Sequence, residues 1–160
     1  MKFRIGFGYD VHQLVEGREL WLGGIKLESN LGALGHSDAD VLVHAICDAI
    51  LGAANMRDIG YHFSNTDTKW ENIDSKILLR KVCVMIREAG YEIGNIDSSL
   101  SLENPKINPH IEAMQLALSE AMSIPTEDIS IKATTNEKLG YVGREEGVNA
   151  YAVALIYKKI

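Results

Sequence analysis

Residues 148–157 constrain the fold more than any other part of this chain. Ala150, Ala152, Ala154 and Ile156 alternate with Tyr151, Val153, Leu155 and Tyr157, so the segment is apolar on both parities. Successive side chains of a strand point to opposite faces, and a strand apolar on both faces is central and covered on both sides. If helices cover one face, something else must cover the other, and a partner subunit is the simplest candidate. The segment therefore predicts a two-layer α+β sandwich that oligomerises through its sheet.

The remaining periodicities supply the other elements. Phe3, Ile5 and Phe7 alternate with Arg4, Gly6 and Gly8 in a strand pattern that runs into Tyr9-Asp10-Val11-His12. Leu20-Trp21-Leu22 and Ile25-Lys26-Leu27 flank Gly23-Gly24 as a short hairpin. Val41, Leu42, Ala45, Ile46, Ala49, Ile50 and Ala53 form the stripe of a first helix, with Ser37 or Asp38 as its N-cap. A second helix is predicted over residues 74–89, with Ile77, Leu78, Val82, Met85, Ile86 and Ala89 inward, and a third over residues 109–122. Residues 96–102 and 129–134 alternate as strands.

Composition narrows the class. The 160 residues are 46% hydrophobic and 24% charged, which excludes a disordered, collagenous or disulfide-scaffold chain. Length without linkers or repeats predicts one domain over residues 1–160. With 16 Lys and Arg against 22 Asp and Glu, the charge of −6 argues against bulk nucleic-acid binding. No apolar run approaches the ~18 residues that span a bilayer, and the first residues lack a signal-peptide pattern, so a cytoplasmic protein is expected, or an organellar one without its targeting segment. Cys47 and Cys83 fall inside helical patterns as reduced core residues.

Several segments hold candidate chemistry. Asp10 and His12 point to the same side of a strand, and His44 lies on a helix edge between Asp40 and Asp48. Asp, His and His form a three-ligand set for Zn2+ with a fourth position open, and Asp40 or Asp48 is the expected holder of the other His44 nitrogen. The same pattern also suits a solvated surface histidine. His36-Ser37-Asp38 reads as a phosphate site at a helix start or as an ordinary cap. Residues 58–74 read as a substrate loop or as a connection. Residues 132–144 gather hydroxyls, carboxylate, lysine, Tyr141 and Arg144, suiting a phosphate and a hard cation or a solvated hairpin. Gly6-Phe7-Gly8 lacks the third glycine of a dinucleotide fingerprint, and no Walker lysine or nucleophile elbow is present.

Together these pieces are more specific than any one of them. Gly8-Tyr9-Asp10-Val11-His12, Gly35-His36-Ser37-Asp38-Ala39-Asp40 with His44, Asp58-Ile59-Gly60, and the run from Lys132 through Thr135, Asn136 and Glu137 to Gly140 occur in one order at fitting separations. The chain resembles the 2-C-methyl-D-erythritol 2,4-cyclodiphosphate synthase family over essentially its whole length.

The resemblance implies a mixed β-sheet with helices on one face, packed through the sheets as a homotrimer with active sites at subunit interfaces. It implies conversion of 4-diphosphocytidyl-2-C-methyl-D-erythritol 2-phosphate to the cyclic diphosphate with release of CMP. Asp10, His12 and His44 would hold Zn2+, and Glu137 a second ion, Mg2+ or Mn2+. His36 and Thr135 would act at the reacting phosphates. His36, Ser37, Asp58, Ile59 and Gly60 would contact the methylerythritol phosphate side, and Asp10, His12, Phe63 and Asp67 are further expected substrate-binding residues. Leu102, Pro105, Lys106, Ile107 and Asn108 would form the cytidine pocket with Ala133 and Thr134 of the neighbouring subunit, and Thr135, Glu137, Tyr141 and Arg144 would complete the substrate contacts. Relatives usually carry Phe-Pro and an acidic residue where this chain has Phe63-Ser64-Asn65. A zinc-dependent phosphohydrolase is the competing enzyme reading, and a trimeric nucleotide-binding module the non-enzymatic one.

Overall fold

A computed structural model describes residues 2–158. Met1, Lys159 and Ile160, which the single-domain reading includes, lie outside the described residues. In chain order the elements are β1 (Phe3–Glu16), β2 (Leu20–Leu22), β3 (Ile25–Leu27), β4 (Leu31–Ala33), α1 (Val41–Ala54), α2 (Ile59–His62), α3 (Ser75–Glu88), β5 (Tyr91–Ser101), α4 (Ile111–Met122), β6 (Ile129–Thr134), α5 (Gly140–Gly143) and β7 (Gly147–Lys158).

Five strands form one mixed sheet in the order β4-β1-β7-β5-β6, so β7 is central, as its composition requires. It pairs antiparallel with β1 and β5, whereas β5 and β6 are parallel and joined through α4. The hairpin β2–β3 stands apart from this sheet. β4, pairing with the extended end of β1 at Leu14 to Glu16, is too short to leave a pattern in the sequence.

The helices cover one face, and glycine sets how closely. Gly6 and Gly8 lie under α1, where a Cβ would overlap the Ala49 and Ala45 carbonyls. The β7 alanines share that face and are buried, so helix and sheet backbones meet with little between them. The large residues of β1 take the opposite parity. Phe3, Ile5 and Phe7 are 57%, 72% and 63% exposed, beside the exposed Tyr151 and Val153 of β7. Within one chain the second face of the central strands is bare and apolar. Among the described residues, no helix is long and apolar enough to cross a membrane.

Three local expectations are corrected. The N-cap of α1 is Asp40, not Ser37 or Asp38. Its fully buried carboxylate accepts from Val43 N at 3.1 Å and from Gly23 N and Gly24 N at 2.9 and 2.6 Å, tying the β2–β3 turn to the helix start. Burial raises its pKa, with Asp38 adding to the rise against those backbone bonds. In α3, Ile77 and Ala89 are exposed while Leu79 and Cys83 are buried, because the helix packs through the stripe of Leu78, Leu79, Val82, Cys83 and Ile86. α4 begins at Ile111, and Pro109 sits in a preceding 3-10 turn. Cys47 and Cys83 are free and buried, as expected.

Candidate metal centre and substrate cavities

The parity that turns Gly6 and Gly8 towards the helices also turns Asp10 and His12 that way, at the end of β1. There the first turn of α1 presents His44. Asp10 Oδ2 lies 3.0 Å from His12 Nε2 and 3.0 Å from His44 Nδ1, and the two nitrogens are 3.2 Å apart. Donor atoms around a tetrahedral ion at about 2.0–2.2 Å lie roughly 3.3–3.6 Å from one another, so this triangle fits a divalent metal with little adjustment. The His12 Nδ1–H donates to Leu34 O at 3.0 Å, leaving the Nε2 lone pair for the corner. Burial opposes ionisation of Asp10, but the imidazoles of His12 and His44 beside it outweigh that and hold the carboxyl well below its ordinary range. Burial likewise disfavours the His44 cation, and Asp10 overcomes it to raise that pKa.

The expected support for His44 is corrected. Asp40 is committed to backbone donors, and Asp48 Oδ1 accepts from Ile59 N at 2.7 Å, which fastens the 58–60 segment onto α1. The other nitrogen of His44, Nε2, faces Ser75 Oγ at 2.9 Å and Ser37 Oγ at 3.2 Å.

A cavity of about 370 Å3 opens beside the triad. It brings together the predicted His12, His36, Ser37, His44, Ile59, Gly60 and Phe63 with Asn65, Trp70 and Leu78, which sequence reasoning left out. Phe63 and Trp70 meet edge to face at 5.1 Å. The His36 Nε2–H donates to Asp67 O at 3.1 Å, so Asp67 touches the site through its carbonyl. The Asp67 carboxylate turns back to accept from Lys69 N. Beneath the loop, Arg18 donates to Ala33 O, Gly35 O and Ser37 O at 3.1 to 3.3 Å and braces the segment that carries His36 and Ser37.

A second cavity, about 390 Å3, is lined by Leu102, Pro105, Lys106, Ile107, Asn108, Pro109, Ala133, Thr134 and Thr135. Both walls belong to one chain, which corrects the expectation that Ala133 and Thr134 come from a neighbour. The reason is strand pairing: Leu100 and Ser101 face Ala133 and Thr134 across β5–β6, and Leu102 N donates to Thr134 O at 3.0 Å. Glu137 adopts a left-handed backbone (φ 51°), and its carboxylate accepts from Thr135 Oγ1 at 3.4 Å. The turn is held from below by the buried Glu103, which accepts from Asn136 N at 2.9 Å and Lys138 N at 3.3 Å and pairs with Lys138 Nζ at 3.1 Å. Glu103 had no sequence signal, because its partners lie beyond β6.

Tyr141 and Arg144 line neither cavity. Tyr141 lies over the bare sheet face, accepting from Asn149 Nδ2 at 2.6 Å with its hydroxyl 3.3 Å from that of Tyr9. Arg144 pairs with Glu146 at 2.9 Å.

Fold and site together define an α+β protein with a three-residue cluster able to hold a divalent metal. The sequence profile of the YgbB family matches residues 3–157. The 2-C-methyl-D-erythritol 2,4-cyclodiphosphate synthase of Cytophaga hutchinsonii is 77% identical over 158 residues, 99% of each chain. That of Parabacteroides distasonis is 66% identical, over 99% of this chain and 98% of its own. Among solved structures, the bifunctional IspDF of Campylobacter jejuni superposes with a TM-score of 0.95 at 38% identity over 99% of this chain, which spans 43% of that protein. The CDP complex of Plasmodium falciparum IspF gives 0.87 at 35% identity, covering 99% and 97% of the two chains. The chain belongs to the YgbB family, that of the 2-C-methyl-D-erythritol 2,4-cyclodiphosphate synthases, and is a cyclising lyase.

Proposed function

We propose that this enzyme converts 4-diphosphocytidyl-2-C-methyl-D-erythritol 2-phosphate to 2-C-methyl-D-erythritol 2,4-cyclodiphosphate and CMP. An oxygen of the substrate's own 2-phosphate bonds to the β-phosphorus as the bond from that phosphorus to the CMP phosphate oxygen breaks. No protein nucleophile is required. The observation that carries the reading is the Asp10, His12 and His44 triangle opening onto the cavity with His36 and Ser37.

In this proposal Ser37, Asp58, Ile59, Gly60 and Phe63 hold the methylerythritol phosphate end, while Leu102, Pro105, Lys106, Ile107, Asn108, Ala133 and Thr134 hold the cytidine. His36 and Thr135 donate hydrogen bonds to the reacting phosphates. Asp10, His12 and His44 would hold Zn2+ and Glu137 would hold Mg2+ or Mn2+, which would neutralise phosphoryl charge when bound. The main work of the protein is to fold a flexible substrate so that its two phosphorus centres lie in line, and such positioning contributes up to roughly 7–11 kcal/mol. The enclosing aromatic pair Phe63 and Trp70 limits water, which would otherwise hydrolyse the diphosphate.

The active assembly is proposed to be a homotrimer packed through the sheets, each chain acting as one domain. Its support is the bare apolar face of β1 and β7. On that face Asn149 Oδ1 is buried with no hydrogen-bond partner among the described residues. The two cavities share no lining residue, so a neighbouring chain is the natural source of the missing half of each site. A cytoplasmic location goes with this reading.

Phosphorus NMR with mass spectrometry on protein, cytidyl substrate, Zn2+ and Mg2+ tests the proposal. CMP and a cyclic diphosphate with no added mass is the expected outcome. A product heavier by one water would make the enzyme a phosphohydrolase instead.

A further inference from the structure

We infer that Ser75 and Asp38 form a hydrogen-bond relay that fixes the tautomer and orientation of His44 for metal binding. The inference rests on the proposed metal centre and concerns residues outside the ligand triad.

His44 turns Nδ1 towards Asp10 and His12 and sends Nε2 the other way, 2.9 Å from Ser75 Oγ. Ser75 is fully buried at the first turn of α3. Its hydroxyl donates to Asp38 Oδ1, and its backbone N–H donates to Asp38 Oδ2 at 2.9 Å. Asp38 is fixed in turn, since Asp40 N donates to its Oδ1 and its own N–H donates to Ile73 O.

The direction of the relay follows from what each group is able to do. An ionised carboxylate only accepts, so the Ser75 hydroxyl proton points to Asp38. Ser75 Oγ then offers His44 a lone pair, which requires a proton on Nε2. With Nε2 protonated, the neutral ring keeps a lone pair on Nδ1, aimed at the corner where Asp10 Oδ2 and His12 Nε2 meet. Ser37 Oγ is farther from Nε2, at 3.2 Å; it accepts from Ala39 N, and its own proton has Ser75 Oγ at 3.4 Å as an acceptor. His12 reaches the complementary state by a different route, its Nδ1 proton being taken by Leu34 O. In their neutral forms both histidines thus turn an unprotonated nitrogen to the metal corner. Partners that orient a ligating histidine are typically worth 10- to 100-fold in metal affinity.

The experiment is a Zn2+ competition titration against a chromophoric chelator, using wild-type protein and Ser75→Ala, with melting curves of both metal-free proteins. A folded variant that binds Zn2+ about 10- to 100-fold more weakly supports the relay. Wild-type affinity in the folded variant would overturn it. Long-range 1H–15N NMR of the zinc-loaded wild type is a second test that does not depend on the variant folding. A slowly exchanging proton on His44 Nε2 with Nδ1 bound to metal is expected, and the reverse assignment would overturn the relay alone. If the wild type bound no Zn2+, the relay and the metal centre would fall together.

Discussion

Asp40→Ala probes how the fold delivers His44. Asp40 is fully buried, caps α1 through Val43 N, and accepts from the two glycine N–H groups of the β2–β3 turn. Loss of an N-cap costs about 0.5–2 kcal/mol, and each buried donor left unpaired about 1–3 kcal/mol. Removing a carboxylate whose burial disfavours its ionisation returns part of that. The net expectation is about 3–5 kcal/mol, a fall in melting temperature of roughly 6–20 °C for a chain of this size. Asp40→Asn keeps one acceptor but sets an amide N–H against a backbone N–H, so it should fall between wild type and Asp40→Ala. Urea unfolding of the metal-free proteins at one fixed concentration measures the series. Because the raised pKa favours the protonated form in the fold, this group contributes most stability below its unfolded pKa and loses it as pH rises through the folded value. The gap between wild type and variant should therefore narrow from pH 4 to pH 7. A loss below about 1 kcal/mol for Asp40→Ala would refute the reasoning, since three unpaired donors cannot cost so little unless the turn and helix start rearrange freely.

Other perturbations test other levels of the structure. Ile5→Asp places a charge on the bare sheet face, and should convert the proposed trimer to monomer in sedimentation velocity while the far-ultraviolet dichroism of the chain is kept. Glu103→Ala frees the turn carrying Thr135 and Glu137, and should lower kcat/KM roughly 10- to 100-fold with Zn2+ binding unchanged. Burial pushes the Cys83 thiol from 9.0 up to about 12 and raises Cys47 as well. Both favour the fold below the unfolded thiol pKa, and that contribution is lost as pH climbs above it, so urea stability should fall beyond pH 9 and less steeply in Cys83→Ala. Neither thiol should react with a disulfide reagent at pH 8 until the protein unfolds.

What was legible in the sequence follows the range of the interaction responsible. The alternation of β7 and the stripe of α1 are consequences of period and burial, and each is readable in a dozen residues. So are Asp10 and His12, whose shared side is fixed by strand geometry alone. The Gly6 and Gly8 positions say more in retrospect. They mark where α1 presses on β1, and so which parity of β1 faces the helices and which faces outward. That assignment needed the position of α1, which lies some 40 residues further along the chain.

The errors around His44 have a common physical origin. Ser37, Asp38 and Asp40 all carry cap chemistry, and sequence cannot rank three short polar side chains so close together. The helix start settled it: Asp40 is the residue from which a carboxylate reaches Val43 N while its backbone is still extended. That choice released Asp38 to reach the start of α3, 37 residues away, where Ser75 needs an acceptor. One carboxylate thereby joins the loop bearing His36 and Ser37, the first turn of α3 and the imidazole of α1. A helical wheel placed Asp40 and Asp48 beside His44 and made them its natural partners, but neighbours at i±4 were already spent on backbone donors at Gly23, Gly24 and Ile59. Helical spacing shows which groups are near one another; only the full account of buried donors shows which of them is free to support a ligand.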